Sequence, residues 1–524
     1  MEATVSEGTA RKSQEKIEVF SPINGEKIGE VKSYSLEEAL VVLSEVRAAQ
    51  KEWAKTPFSF RSRKMLDFLE QLYLHADELA NLISKESGKT KYEAYLFEIV
   101  PIMHLTSYFA DNAEKILKPK KISISVFKNR ASYIHYKPRG VMLVISPWNF
   151  PMSIPVGEVV MGLMAGNGIV LKPASLTPLI ALKVRELFDK AGLDKKLFQV
   201  IPGPGRMASS LIEAGVDYVN FTGSTDVGKK VAELCGRNLI PCSMELGGKD
   251  PALIFADADL DAAAKSAVWG AFSNSGQVCA SVERIYVQEP VYEQFVEKVV
   301  ELTKRLRQGD PLGGEDVDIG AMTDPGQIKI IEEQVEDAVR RGAKILTGGK
   351  RASFGKMFFE PTVIVDADES MKVVRDESFG PVVPIMKFQS EAEAIARAND
   401  SIYGLNAYVF TRDGDRARRV AERLEAGTVM INDVLMTHAF PETPWGGVKQ
   451  SGIGRVHSDD GLRDLCHAYH VNYDLFSMDN PVWYPYSRDK VARFIAAANL
   501  IHRKAGFGAK LRSLKGVISP EIEA

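Results

Sequence analysis

One cysteine in the sequence has neighbours that suit a reactive thiol. Cys279 follows an Asn-Ser-Gly turn at residues 274–276, where side-chain bulk is small. Backbone amides can approach a reacting atom closely in such a turn. A catalytic thiol must be exposed and partly deprotonated, whereas a structural cysteine is normally an inert small hydrophobe inside a regular element. Its place after a turn of small residues makes Cys279 a candidate nucleophile.

The other three cysteines are typical of packing residues. Cys235 lies in a predicted helix at 227–235, Cys242 in an apolar strand, and Cys466 near a C-terminal strand. No CxxC pair or Cys/His cluster indicates a metal site, and the spacing does not suit a disulfide scaffold. We therefore expect no bound metal and a reducing, cytoplasmic compartment.

Glu245 is a candidate general base. It follows the apolar run 239–244 and precedes a Gly-Gly pair. Carboxylates beside turns at the ends of strands are typical general bases. The alternative is a solvated carboxylate on the edge of a strand.

The composition is that of a globular enzyme. With 524 residues the chain is too long for one core, which predicts two or three domains. The net charge of −3 gives no electrostatic case for nucleic acid. No apolar run approaches the length of a bilayer-spanning helix, and the polar residues 1–16 favour a loose arm over a signal peptide.

The order of apolar segments predicts an α/β fold. Helical spacing fills residues 36–87, and a rhythm of strand, helix and strand begins at residue 141. The predicted buried parallel strands are 141–145, 168–171, 198–201, 218–221 and 239–244. This alternation predicts a doubly wound parallel sheet, and a second α/β domain beyond residue 250 carries the thiol.

Polar turns follow four of these strands, where such sheets bind their ligands. The turns begin at Ser146, Lys172, Thr222 and Glu245. The segment from Gly223 to Gly228 lacks the middle glycine of a dinucleotide fingerprint, but its place between a strand and a helix suits a diphosphate. An ordinary turn is the alternative for that segment.

Two segments outside the sheets predict contacts with other bodies. A polar hairpin at 118–136, with its turn at 128–130, and an edge strand at 466–473 suit the joining of subunits.

The segment 487–516 has eight basic residues against one acid, and apolar residues on one predicted helical face. That face comprises Val491, Phe494, Ile495, Ala498 and Ile501, preceded by Trp483, Tyr484 and Tyr486. The pattern suits a membrane surface, and the alternative is a helix packed on the enzyme or on a neighbouring subunit.

Five separated motifs occur in an order that carries a family resemblance. They are Pro-Trp-Asn-Phe at 147–150, Lys-Pro and Thr-Pro between 172 and 178, Phe-Thr-Gly-Ser at 221–224, Glu-Leu-Gly-Gly-Lys at 245–249, and Gly-Gln-x-Cys at 276–279. From about Phe20 to Tyr473 the sequence resembles the aldehyde dehydrogenase superfamily, and parts of it are similar to bacterial semialdehyde members. The resemblance implies two Rossmann-like doubly wound domains and a small β element that builds homodimers or homotetramers.

The resemblance also implies how the chain is divided. The expected parts are a nucleotide-binding domain at 1–117 and 137–247, an oligomerisation hairpin and strand at 118–136 and 463–476, and a catalytic domain at 248–462. The basic amphipathic extension at 477–524 lies beyond the resemblance. Residues 444–452, glycine-rich and aromatic, are expected to form a wall of the cleft between the two large domains.

The roles of the site residues follow from the same resemblance. Cys279 resembles the nucleophile that adds to an aldehyde carbonyl, Asn149 the side-chain donor to the oxyanion, and Glu245 the base that activates water on the thioester. The implied activity is oxidation of an aldehyde to the carboxylic acid with NAD or NADP. Lys172 and Glu377 resemble residues that hold the two riboses. The remaining implied cofactor residues are Ser146, Trp148, Ser175, Gly223, Ser224 and Phe379.

Two departures from the family pattern bear on cofactor and substrate. Ser175 stands where many NAD-preferring relatives have a glutamate, and serine would not repel the 2′-phosphate of NADP, which is therefore favoured. Residues 152–162 lack the arginine that succinate-semialdehyde members use to meet the substrate carboxylate. An apolar aliphatic or aromatic aldehyde in a roomy tunnel is expected, with succinate semialdehyde as the alternative. The expected tunnel residues are Phe150, Gly157, Met161, Val278 and Trp445.

Two other classes of function remain open to this sequence. A binding or structural protein could keep the fold without catalysis, but the joint presence of Cys279, Asn149 and Glu245 argues against it. A CoA-acylating dehydrogenase would keep the thiol without needing a base that activates water. The presence of Glu245 therefore favours hydrolysis to the free acid.

Overall fold

Two compact units make up the chain in the computed structural model, which describes residues 16–125, 129–314, 316–476, 482–502, 504 and 506–518. Unit 1 comprises Met1–Lys118 and His135–Tyr469. Unit 2 comprises Pro119–Ile134 and His470–Ala524. The expected N-terminal arm, apart from its last residue, and residue 128 of the expected hairpin turn lie outside the described residues.

Strands and helices alternate through most of unit 1. The strands are β1 (Lys16–Phe20), β2 (Lys27–Lys32), β3 (Lys120–Ile122), β4 (Arg130–Pro138), β5 (Val141–Ile145), β6 (Gly168–Lys172), β7 (Phe198–Val200), β8 (Tyr218–Thr222), β9 (Cys242–Glu245), β10 (Asp250–Ile254), β11 (Val282–Gln288), β12 (Lys344–Thr347), β13 (Thr362–Val365), β14 (Val382–Phe388), β15 (Asn406–Phe410), β16 (Thr428–Ile431), β17 (Gly452–Ile453) and β18 (Cys466–Asp474). The helices are α1 (Leu36–Trp53), α2 (Phe58–Leu74), α3 (Ala76–Ser87), α4 (Lys91–Glu93), α5 (Val100–Leu117), α6 (Ser153–Ala165), α7 (Pro178–Lys190), α8 (Gly205–Glu213), α9 (Thr225–Arg237), α10 (Leu260–Phe272), α11 (Tyr292–Lys304), α12 (Pro325–Arg340), α13 (Lys372–Arg375), α14 (Glu391–Asn399), α15 (Gly414–Ala421), α16 (Ser458–Asp464), α17 (Arg488–His502) and α18 (Phe507–Ile518). A π-helix spans Ala94–Ile99, and short 3-10 turns occupy Ser273–Gly276, Glu289–Val291, Met436–Ala439 and Lys449–Ser451.

Two large sheets organise unit 1 and confirm the predicted fold class. One has six strands in the order β17-β9-β8-β5-β6-β7, and the other has seven in the order β12-β13-β14-β11-β10-β15-β16. Neighbouring strands are parallel except for the edge strands β17 and β12, which are antiparallel to β9 and β13. Every residue of β5, β6, β10 and β15 is buried, because helices cover both faces of the sheets.

The fifth predicted strand is shorter than expected, since β9 starts at Cys242 and not at residue 239. The amides of Leu239 and Ile240 instead donate to the carbonyls of Gly236 and Cys235, at 3.2 and 2.9 Å, and close the end of α9. Leu239 has a left-handed φ of 54° and is 90% exposed. The apolar residues 239 and 240 were therefore predicted to belong to the strand, although they form the end of α9.

A buried helix continues the first polar turn into the core. Every residue of α6 except Ile154 is buried, and the helix packs against α5, β5 and β6. A helix that is apolar on all sides belongs to the interior of a large protein. The turn between β5 and α6 is therefore held by core packing at both of its ends.

Unit 2 contains a small sheet and a pair of helices. Strands β3 and β4 are antiparallel, with Lys120 opposite Ile134, as expected of the hairpin. The sheet has the order β18-β4-β3, so β18 is an edge strand as predicted. Helices α17 and α18 pack against each other. In the ranges that the structure describes, no helix has the length and apolarity needed to cross a bilayer.

Candidate active site

A cavity of about 400 Å³ lies beyond the carboxyl ends of β5, β6, β8 and β9. The polar turns after all four strands line it. The expected site residues that line it are Ser146, Trp148, Asn149, Lys172, Gly223, Ser224, Glu245, Cys279, Glu377 and Phe379. We call this space the polar cavity. Ser175 does not line it: this exposed residue follows the lining residue Ala174, and its hydroxyl donates to the Gly203 carbonyl at 3.3 Å.

A second space, of about 50 Å³, touches the other side of Cys279. We call it the aromatic pocket, because four rings contribute to its wall. Its lining comprises Phe97, Phe150, Ser153, Ile154, Val278, Cys279, Ala280, Leu435, His438 and Trp445. The ring of Phe97 lies edge-on to Phe150 at 6.0 Å and stacks on Trp269 at 5.8 Å between centroids.

The expectation of a roomy tunnel is wrong, although three of its five expected residues line the pocket. Met161 lies in the hydrophobic core with 1% exposure, and a Cβ on Gly157 would face Leu105 and His457. Both positions lie on later turns of α6, which runs away from the pocket into the interior. Helical spacing alone did not show where the helix leaves the cavity wall.

A strained turn positions the thiol. Asn274, Ser275 and Gly276 have left-handed φ values of 51°, 56° and 73°. The first two values are unfavourable for residues with a Cβ, so tertiary contacts must hold them. The amide of Asn274 donates to the Glu93 carboxylate at 2.6 Å, and the Ser275 hydroxyl donates to a backbone carbonyl at 3.0 Å. A Cβ on Gly276 would lie 2.2 Å from the Gly380 carbonyl, so only glycine fits there.

The surroundings of Cys279 disfavour its thiolate in this state. Burial raises the pKa of the thiol well above its ordinary value, and the carboxyl groups of Glu245, Asp250 and Glu377 add to the rise. The thiol is half-buried, so it is less exposed than expected. Its raised pKa disfavours the expected partial deprotonation in the protein alone. The turn supplies close backbone approach, but desolvation at this position disfavours a negative sulfur.

Glu245 ends β9 and reaches the same cavity. Burial raises the pKa of its carboxyl well above the usual value, and Glu158 adds to the rise, whereas Arg455 and the Trp445 indole oppose it. Neither carboxyl oxygen of Glu245 has a well-formed hydrogen bond to any described residue. In its ionised form a carboxylate with a raised pKa is a stronger base, and one without a hydrogen-bond partner can accept a proton from a water molecule placed beside it.

Asn149 lies in the turn between β5 and α6. Its side-chain nitrogen donates to the Gln277 carbonyl at 3.0 Å, two residues before Cys279. An amide nitrogen carries two hydrogens, so one remains for a reacting oxygen next to the thiol. The backbone carbonyl of Asn149 accepts from Lys89 at 2.7 Å and from the Asn274 side chain at 3.2 Å.

The polar cavity has the donors and acceptors that fit a dinucleotide. Lys172 is 6% exposed, and among the described residues its side-chain amine has no hydrogen-bond or ion-pair partner, while burial lowers the pKa of that amine. Glu377 accepts from the Gly248 amide at 3.0 Å, and burial raises the pKa of its carboxyl to about 8. Ser224 is the N-cap residue of helix α9, but its side chain makes no capping hydrogen bond, which leaves amides for a diphosphate.

Sequence reasoning missed several lining residues. Asp324 and Gln327 from α12 and the loop before it line the polar cavity, while Phe97, Leu435 and His438 line the aromatic pocket. None belongs to a motif, because each comes from an element that reaches the site only through the tertiary fold. Burial lowers the pKa of His438 to about 4, so its ring is neutral near pH 7.

Comparison with known proteins places this site in a family. The profile of the aldehyde dehydrogenase family matches residues 9–471. A putative succinate-semialdehyde dehydrogenase [NADP(+)] of Mycolicibacterium smegmatis is 38% identical over 455 residues, covering 86% of this chain and 87% of the relative. A 4,4′-diapolycopene aldehyde oxidase of Methylomonas sp is 37% identical over 496 residues, covering 93% and 91%. The crystal structure of betaine aldehyde dehydrogenase from Staphylococcus aureus in complex with NAD+ is 34% identical, covers 90% of this chain and 94% of its own, and has a TM-score of 0.84.

The chain belongs to the aldehyde dehydrogenase family. It is an NAD(P)-dependent enzyme of that class, and NAD or NADP is its cofactor. The alignment with the Methylomonas relative covers a larger share of the chain than residues 1–476 make up, so it extends into the C-terminal segment.

Proposed function

We propose that the enzyme oxidises an apolar aliphatic or aromatic aldehyde to the carboxylic acid. The observation that carries this proposal is the position of Cys279, which lines both the polar cavity and the aromatic pocket. The aldehyde carbonyl reaches the thiol from the apolar side. A nicotinamide cofactor held by the residues of the polar cavity would supply the hydride acceptor.

The residues divide the reaction between them. The Cys279 thiol loses its proton to solvent water, and the sulfur adds to the carbonyl carbon. The resulting oxyanion receives hydrogen bonds from the Asn149 side chain and the Cys279 amide. Loss of hydride leaves a thioester on Cys279. Glu245 then takes a proton from water, the resulting hydroxide attacks the thioester carbon, and the C–S bond breaks to release the acid.

The charge in the aromatic pocket favours a neutral substrate. No lysine or arginine is among the described residues that line it, and the ring of His438 is uncharged near pH 7. A substrate carboxylate placed there would lose its hydration without gaining a partner. The name of the Methylomonas relative supports an apolar aldehyde, whereas that of the Mycolicibacterium relative keeps succinate semialdehyde as the alternative.

A substrate panel tests this proposal. Hexanal and benzaldehyde should exceed succinate semialdehyde in kcat/KM by at least about tenfold, since an unpaired buried charge costs more than 1.4 kcal/mol. The product should be the free acid with or without CoA. Higher kcat/KM with succinate semialdehyde would establish the alternative, and a requirement for CoA would establish an acylating enzyme. The variant Ile154→Arg should improve the use of succinate semialdehyde, with Ile154→Met as its uncharged control.

We infer that NADP is preferred over NAD. Ser175 carries no negative charge beside the cofactor cavity, and the Mycolicibacterium relative is named for NADP(+). The NAD+ bound in the Staphylococcus structure belongs to a relative of lower identity. Measurement of kcat/KM for both cofactors, with the aldehyde saturating, decides the preference.

We propose that the enzyme works as a homodimer or homotetramer in a reducing, cytoplasmic compartment. The six-stranded sheet would serve the nucleotide and the seven-stranded sheet the catalytic thiol. Strands β18 and β3 form the two edges of the small sheet, and open edges of this kind can pair with another copy. A mass of one chain by sedimentation velocity at micromolar concentration would contradict the assembly.

We also propose that the C-terminal helices contact a membrane surface. The predicted apolar face of α17 is exposed in the structure: Val491 by 55%, Phe494 by 41%, Ile495 by 58% and Ile501 by 49%. Trp483, Tyr484 and Tyr486 before it are exposed by 60%, 80% and 70%. Basic residues flank this face, so an anionic lipid surface matches both its apolar area and its charge. These basic residues are Arg488, Lys490, Arg493, Lys504, Lys510, Arg512 and Lys515.

Co-sedimentation with vesicles tests the membrane contact. The full chain should pellet with vesicles that contain phosphatidylserine at low salt, and a truncation after Asn480 should not. The variant Phe494→Glu/Ile495→Glu keeps the helix length and should also remain in the supernatant. If the full chain stays in the supernatant, and truncation lowers the number of chains in its assembly, the face is covered by a second copy instead.

A further inference from the structure

A buried ion pair lies behind the proposed oxyanion donor. Lys89 and Glu98 have side chains with 0% exposure, and the distance from the lysine nitrogen to a carboxylate oxygen is 2.5 Å. Neither residue lines the polar cavity or the aromatic pocket. Desolvation of two charges is costly, and such a pair often adds little to stability compared with apolar residues. Its remaining hydrogen bonds show what the pair holds in place.

Lys89 fixes the backbone of Asn149. Its ammonium donates to the Asn149 carbonyl at 2.7 Å and lies 4.3 Å from the centre of the Phe150 ring. The Asn274 side chain donates to the same carbonyl at 3.2 Å. The peptide after Asn149 therefore cannot rotate without losing two hydrogen bonds, one of them charged.

Glu98 fixes the other end of the same turn. Its second carboxylate oxygen accepts from the amides of Met152 and Ser153, at 2.9 and 2.8 Å. These are the first amides of α6, a helix without a side-chain cap of its own. A carboxylate at this position satisfies amides that the helix leaves free and interacts favourably with the helix dipole.

The π-helix at Ala94–Ile99 joins this pair to the loop of the thiol. Glu98 lies within it, and Glu93 immediately precedes it and accepts from the Asn274 amide at 2.6 Å. Hydrogen bonds of a π-helix run between residues five apart, which is the spacing of these two glutamates. One wide turn thus holds the backbone on both sides of the reacting atoms.

We propose that Lys89 and Glu98 are positioning residues that direct the free hydrogen of the Asn149 amide at the reacting oxygen. One amide hydrogen is already given to Gln277, so the orientation of the other depends on the backbone that the pair clamps. The proposal rests on the role proposed above for Asn149. Loss of the Lys89–Glu98 pair should lower kcat/KM about a hundredfold. A displacement of about 1 Å at a reacting centre has an effect of this size.

A double-mutant cycle tests this proposal. Lys89→Met and the neutral pair Lys89→Met/Glu98→Met are each made in the wild type and in Asn149→Ala. The neutral pair leaves no uncompensated buried charge, so it provides a folded variant even where Lys89→Met fails to fold. We expect kcat/KM to fall about a hundredfold in the wild type and less than about threefold in Asn149→Ala. The reason is that the Lys89–Glu98 pair acts only through the side-chain amide of Asn149.

An equal loss in both backgrounds would overturn the positioning role. Full activity of Asn149→Ala by itself would instead refute the proposed oxyanion donor, so the two failures are distinguishable. Arg61→Met is the matched control, because Arg61 is a buried cation that donates to the Met164 carbonyl at 3.1 Å, at the opposite end of α6. It should lower the melting temperature while leaving kcat/KM, normalised to the amount of active thiol, within about threefold of the wild-type value. A hundredfold loss with Arg61→Met would also overturn the proposal, because it would show a general effect of loosening α6.

Discussion

The polar cavity and the aromatic pocket share Cys279 and Ile154 in their walls but differ in size and charge. The polar cavity, of about 400 Å³, is lined by the amine of Lys172, the buried carboxyl of Glu245 and the half-buried carboxyl of Glu377. The aromatic pocket, of about 50 Å³, is walled by rings and aliphatic side chains. One side is built to pair with charges and hydroxyl groups, and the other to exclude them.

The difference shows how a single thiol can serve two unlike ligands. Polar groups left without partners are costly in a folded protein unless a ligand satisfies them. The polar cavity offers such groups to a ligand, whereas the described lining of the aromatic pocket has no lysine, arginine or carboxylate side chain. Substitutions on each side should affect different kinetic constants.

Removal of the shared sulfur should have the largest effect. Cys279→Ser should lower the oxidation rate by more than about a thousandfold, because the alcohol is a far weaker nucleophile and leaving group. Cofactor binding should persist, since the polar cavity keeps its other groups. The control is Cys242→Ser, in a half-buried cysteine at the start of β9, which should keep its activity. Residual turnover of Cys279→Ser above a tenth of the wild-type rate would contradict the assignment of the nucleophile.

The loss of the base should act on one half of the reaction. Glu245→Gln should reduce steady-state turnover about a hundredfold, the usual scale for a positioned base, while about one hydride per active site still forms in an initial burst. Stopped-flow absorbance of the reduced cofactor measures the burst. Hydroxylamine, which cleaves thioesters without a base, should restore part of the turnover. Full turnover without a burst would show that Glu245 does not act on the thioester.

A charge at the rim of the polar cavity should alter cofactor choice alone. Ser175→Glu should lower kcat/KM for NADP about tenfold more than for NAD, because a carboxylate would repel the 2′-phosphate. Ser175→Gln has a similar size without the charge and should leave the ratio near the wild-type value. Equal losses with both cofactors would show that Ser175 lies away from the adenosine ribose. That result would agree with its exposed position outside the lining of the polar cavity.

The smallest effect concerns stability on the apolar side. Glu158 lies on α6, whose first residues line the aromatic pocket, and burial raises the pKa of its carboxyl to about 8 from an ordinary 4.5. The folded protein thus binds a proton that the unfolded chain releases, so this group destabilises the fold progressively as the pH rises from about 4.5 to 8. Glu158→Gln should therefore gain about 2–4 °C in melting temperature relative to the wild type between pH 5 and pH 8.

The exposed Glu37→Gln serves as the control for that measurement. Its melting temperature relative to the wild type should not increase over the same pH range. A constant difference for Glu158→Gln across the range would mean that the carboxyl stays ionised in the fold. Helix α6, which begins in the wall of the aromatic pocket, would then carry a buried negative charge, and the contrast between the polar cavity and the apolar side would be weaker.

The sequence predicted the sheet of the first half well, because long apolar runs ending in polar turns specify buried parallel strands. The residues at strand ends, such as Lys172 and Glu245, could be placed on one rim by that rule alone. It could not show that Cys279 is half-buried or that its pKa is raised, since desolvation by tertiary packing is the main cause and the carboxyl groups that add to it come from other segments of the chain. The pair Lys89 and Glu98 was missed for the same reason, because a Lys and a Glu nine residues apart carry no signal until a π-helix brings them together.

The raised pKa of Cys279 bears on how the enzyme survives oxidants. Peroxides react with thiolates and only slowly with thiols, so a protonated Cys279 is a poor target while the enzyme waits for its ligands. The half-buried position that disfavours the thiolate also leaves the sulfur only partly accessible. Without its ligands the enzyme should therefore lose its nucleophile to peroxide more slowly than a protein whose reactive thiol is permanently ionised.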